Sequence, residues 1–68
     1  MPNKVTFMQI VLAAAENIRN GNITNTVTTI QHLSKIDAML VTANVADELH
    51  ATSPIAYNAF LAALARQV

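Results

Sequence analysis

The sequence predicts an all-α protein: one domain over residues 1–68 that packs three to four short helices into a compact bundle and assembles as a homodimer. Three observations carry that prediction. Apolar residues recur at helical spacing in successive segments, and residues suited to helix caps stand between them. The third is composition: 53% of the chain is apolar and 12% charged, against about one quarter charged in an average domain. A chain this short buries only about 60% of the surface its unfolded form exposes, so much of the apolar area is left outside. Contiguous exposed apolar surface marks a contact with another molecule.

The first helix is expected from about Phe7 to Asn20. Thr6 stands three residues before Gln9, as in a capping box, with Val5 and Ile10 in the staple positions. At about 100° per residue Phe7, Val11, Ala14, Ala15 and Ile18 share one face, which Met8, Ile10 and Leu12 widen. Gly21 follows Asn20 where a left-handed residue commonly ends a helix.

The segment Ile23 to Leu33 is rich in β-branched residues, which suit a strand. No second strand-like run exists to pair with it, however, and Ile23, Val27, Ile30 and Ser34 keep helical spacing with Asn22 as cap. It is assigned as helix. Continuing its stripe would carry Asp37 into the apolar face, so the chain is expected to break near Ser34; a single long helix through Ser34 is the alternative.

Ser34 then caps a third helix from about Lys35 to His50, with Asp37 at its third position complementing the helix dipole. One face of this helix carries Ile36, Met39, Leu40 and Ala43, and another carries Ala38, Val41, Val45 and Leu49. Two apolar faces suggest a central helix. After an Ala51-Thr52 connector, Ser53-Pro54 opens the last helix, which runs to about Gln67. Its bulky residues Tyr57, Phe60, Leu61 and Leu64 are expected on one side, and Ala59, Ala62 and Ala63 on the other.

Composition also narrows the function. Four Lys and Arg balance four Asp and Glu, so no net field draws the chain to nucleic acid or an anionic membrane. Near-neutrality instead favours self-association. There is no cysteine, which removes disulfides and thiolate metal sites and leaves oligomerisation or tight helix packing to reinforce a core worth only about 3–5 kcal/mol. No apolar run reaches the roughly 18 residues of a membrane span. Met1-Pro2-Asn3-Lys4 has none of the features of a secretory signal, which points to a cytoplasmic protein and makes Asn22-Ile23-Thr24 a chance match to a glycosylation acceptor.

Candidate chemistry is sparse. His32 and His50 share no ligand spacing, and Asp47 with His50 supplies two ligands where a stable metal site needs three or four. Ser34 and Ser53, the possible nucleophiles, are better explained as caps. Asp47 and Glu48 point to different sides of a helix, and one glycine cannot make a phosphate cradle. No enzyme, metal or cofactor is expected.

The stretch Val45-Ala46-Asp47-Glu48-Leu49-His50-Ala51-Thr52-Ser53-Pro54-Ile55 resembles the turn region of helix-turn-helix DNA-binding units. That resemblance implies a transcriptional regulator reading DNA through Tyr57, Asn58, Arg66 and Gln67. The sequence departs from the pattern where glycine often makes the turn and at Ala56, and it lacks basic residues for phosphate contacts.

The expected function is therefore non-catalytic: a small accessory protein, of bacteria or their viruses by its size, that pairs with itself and binds a larger protein as adaptor or inhibitor. Met8, Leu12, Met39, Tyr57, Phe60, Leu61 and Leu64 are the expected contact residues, because methionine and aromatic side chains are enriched at interfaces. The alternatives are the DNA-binding regulator and a small-ligand binder with its cavity between subunits.

Overall fold

A computed structural model describes residues 4–67. Within that range the chain forms α1 (Lys4–Arg19), α2 (Ile23–Gln31), α3 (Lys35–Thr52) and α4 (Pro54–Arg66), and every regular element is a helix. The break at Ser34 is present. The reading of Met1-Pro2-Asn3-Lys4 as carrying no secretory signal concerns a segment whose first three residues lie outside the described residues.

α1 begins earlier than expected. Thr6 lies inside it, not at its cap, so the capping box with Gln9 does not form the start of the helix. Neither Val5 nor Thr6 is a helix breaker, and the hydrogen-bond ladder extends through both. The other end matches its signal. Gly21, at φ +95°, donates its N–H to Ile18 O at 3.0 Å, and Asn22 donates to Asn17 O at 2.9 Å. This pair of bonds is a Schellman motif, which satisfies carbonyls the helix leaves unpaired.

That motif explains why Asn22 does not cap α2. Held at φ −85°, ψ 53° by the end of α1, its side chain makes no capping bond; its amide donates instead to Asn17 Oδ1 at 3.4 Å. α2 is helical despite its threonines, two of whose four hydroxyls find carbonyl acceptors one turn back. Thr26 Oγ1 donates to Asn22 O at 2.6 Å and Thr29 Oγ1 to Asn25 O at 2.8 Å, while burial of Thr26, Val27 and Ile30 against the other helices supplies the stability that β-branched residues withhold from a helix. α2 stops at Gln31, before Leu33, as His32 and Leu33 close turns onto Thr29 O and Ile30 O.

Both serine caps form. The Ser34 hydroxyl accepts from the Asp37 N–H at 3.2 Å, and the Ser53 hydroxyl from the Ala56 N–H at 3.3 Å. α3 runs past His50 and takes in Ala51 and Thr52, so Ser53 alone separates α3 from α4 and serves as C-cap of one and N-cap of the other.

The core combines Val11, Ala15 and Ile18 of α1, Val27 and Ile30 of α2, Val41, Val45 and Leu49 of α3, and Ala56, Phe60 and Ala63 of α4. α3 touches all three other helices, most extensively α1 and α4. Arg19, at the end of α1, reaches Glu48 and Thr52 near the end of α3, while Ala14 and Val41 line one cleft nearer the other ends. The two helices therefore run in the same sense. The expected bulky and alanine sides of α4 are not how it packs: the buried arc mixes Phe60 with Ala56 and Ala63, and leaves Leu61 exposed. Phe60 fills the centre, and small residues beside it let the neighbouring helices approach.

Candidate protein-binding surface

Eighteen residues give α3 five turns, and their angular positions decide what it shows to water. Val41, Val45 and Leu49 point inward. Ile36, Met39, Leu40 and Ala43 lie about 180° away round the axis, on the outside. Only the inner face is apolar along its whole length, because the outer one gives way to Asp47 and His50 in its later turns. That difference orients the helix. It also strands the outer stripe in solvent: Ile36 is 70% exposed, Met39 64% and Leu40 38%.

Two neighbouring features extend the stripe. Val5, Met8 and Leu12 are exposed on one flank of α1, the flank that also carries Arg19 and so borders α3. On the other side Met39 and Ala43 form one wall of a shallow cleft of about 640 Å³, with Ile30 and Leu33 of the α2 end and Leu64 of α4 opposite. A second cleft, of about 470 Å³, lies between α1 and α2 above Val41; Ile10, Ala14 and Leu33 line its apolar part and Asn17, Asn22 and Asn25 its polar edge.

The expected contact residues divide into three groups. Met8, Leu12, Met39 and Leu61 are exposed. Tyr57 and Leu64 are half-buried against the core, and the Tyr57 ring stands edge-on to His50 with centroids 5.0 Å apart and planes at 81°. Such a contact contributes about 0.5–1.5 kcal/mol and ties the phenol to its own fold. Phe60 is completely covered and is corrected from contact residue to core residue. Phe60 heads the largest fully buried side chains among the described residues, so its ring fills core volume that no smaller side chain would. Sequence reasoning passed over Ile36 and Leu40 as contact residues, although their i, i+3, i+4, i+7 spacing with Met39 and Ala43 is the signal that finds them.

Among the described residues no three of His, Cys, Asp and Glu come together, and no buried side-chain polar atom lacks a hydrogen-bond partner. No helix among them is long and apolar enough to cross a membrane. At the α3–α4 corner the connector is the single residue Ser53, shorter than the three or four residues of a helix-turn-helix turn. Compared with known proteins, the chain matches no family model, no curated protein and no solved structure.

Proposed function

We propose that the protein is a non-catalytic helical module that self-associates and engages a larger protein, as adaptor or inhibitor, through apolar helix faces its own core leaves uncovered. One observation carries this reading. The longest helix is apolar on two opposite sides, and its fold uses only one of them. A cluster of Ile36, Met39 and Leu40 held in water is costly, and burial against another molecule recovers it. The balanced charge removes the repulsion that would keep copies apart. A cytoplasmic setting goes with this reading, since a chain without cysteine has no disulfide to lose there.

Sedimentation velocity of the wild-type chain beside an Ile36→Gln, Met39→Gln variant tests it. The expected result is association of the wild type across micromolar concentrations, a monomeric variant of unchanged helicity, and a captured protein partner lost with the same substitutions. A wild-type chain that stays monomeric and captures no protein overturns the reading.

A second reading has one observation in its favour. The cleft between α1 and α2 has a volume within the range of small-molecule sites and mixes apolar walls with asparagine amides. It lies within one chain, not between subunits. A raised melting temperature in the presence of neutral, partly apolar compounds would support it.

A further inference from the structure

We propose that the outer stripe of α3 is covered by the same stripe of a second copy, with the two α3 helices antiparallel across a two-fold axis and Lys35 of each beside Asp47 of the other. The inference rests on the self-association reading and specifies its geometry.

The stripe is polar end to end. It starts at Lys35, continues through the large residues Ile36, Met39 and Leu40, narrows to Ala43, and ends at Asp47. Lys35 and Asp47 are both exposed, and neither side chain has a partner among the described residues, where the ion pair is Arg19 with Glu48. Such a stripe is complementary to its own reverse. The register that sets Lys35 opposite Asp47 also sets Met39 opposite Ala43, because both pairs are centred on position 41. Met39 of each copy then meets Ala43 of the other, and each charge meets its opposite. The two-fold axis makes every such contact twice.

The parallel arrangement does the reverse. It places lysine by lysine, aspartate by aspartate and the large residues at one end, and like charges facing across an interface are strongly disfavoured. An interface of ordinary size takes about 800 Å² from each partner, roughly a sixth of the 4552 Å² this chain exposes. Leu33 on one side of the stripe, and Met8 and Leu12 on the other, extend the contact towards that area.

Sedimentation equilibrium of the full chain tests the arrangement through charge reversal. Lys35→Glu and Asp47→Lys are each expected to raise the dimer Kd about tenfold or more, since each converts two attractive pairs into two repulsive ones, with the helical circular dichroism unchanged. The Lys35→Glu, Asp47→Lys double variant is expected to return to within about threefold of wild type. Equal parts of the two single variants, once mixed, should associate with each other more tightly than either does alone, because the mixed pair restores both attractions. Dimerisation insensitive to the single reversals, or a double variant no better than the singles, overturns the antiparallel register and leaves self-association standing. A wild type that remains monomeric overturns both.

Discussion

The Arg19 guanidinium donates to the Thr52 hydroxyl at 3.0 Å across 33 positions of sequence, and the same nitrogen lies 3.9 Å from Glu48 Oε2. Thr52 passes the connection on by donating to the Glu48 carbonyl at 2.8 Å. One side chain thus holds the ends of α1 and α3 together. The Arg19 and Glu48 side chains are each about one third exposed, so solvent screens the pair and its contribution is modest. Arg19→Met is expected to cost about 0.5–1 kcal/mol, a fall of a few degrees in Tm for a domain of this size. Glu48→Gln should cost less, because the hydroxyl bond survives. Thermal unfolding of both variants checks the order.

Phe60 and Leu61 are neighbours in sequence with opposite surroundings, the first completely buried and the second 40% exposed. Truncating a buried phenylalanine costs about 3–5 kcal/mol, comparable with the whole stability expected of a core this small. Phe60→Ala is therefore expected to leave the chain largely unfolded by circular dichroism. Leu61→Ala should retain helicity and shift the urea midpoint by less than a quarter of that effect. Equal losses for the two would mean that α4 is rotated from the orientation described.

The caps separate in the same way. Ser34→Ala and Ser53→Ala each remove an oxygen that accepts a backbone N–H, at a cost of about 1 kcal/mol. Asn22→Ala removes no capping bond, so urea unfolding should show it well below the two serine variants. Parity between Asn22 and Ser34 would contradict the helix start assigned to α2.

Gly21 is held at φ +95°, and a Cβ built there meets nothing within 4 Å. Any loss on Gly21→Ala is therefore conformational, not steric against neighbours. It is expected at about 1 kcal/mol, from chemical denaturation. A loss several times larger would mean that the residue after α1 contacts something the fold does not place there.

The helical fold was legible because its signals are local. Gly21, Ser34 and Ser53-Pro54 act on their own backbones, and each marks a boundary within one or two residues of where it lies. Thr6 failed for the converse reason: a cap signal does not end a helix when the preceding residues are able to continue it. The candidate surface was legible only in part. Periodicity shows that α3 has two apolar faces, but which one turns inward depends on the neighbouring helices. Met39 was singled out by residue type; Ile36 and Leu40 share its spacing, but spacing alone does not say that this face is the one turned outward. Phe60 has the same type preference as an interface residue and a core residue, and only packing tells them apart.

The seven connector residues among the described helices, Asn20 to Asn22, His32 to Ser34, and Ser53, impose a constraint on how this protein changes. Most domains vary their specificity by lengthening or reshaping loops on a fixed scaffold. Among the described residues no connector between helices is longer than three residues. One residue inserted at Ser53 would lengthen the single extended joint that sets the angle between α3 and α4, and so displace Phe60 from its place in the core. On the proposed function, new specificity would come from exchanging side chains on the outer helix faces at constant length. Homologues that bind different partners are expected to differ at positions such as Ile36 and Met39 while keeping the spacing from Gly21 to Ser34 and on to Ser53 unchanged.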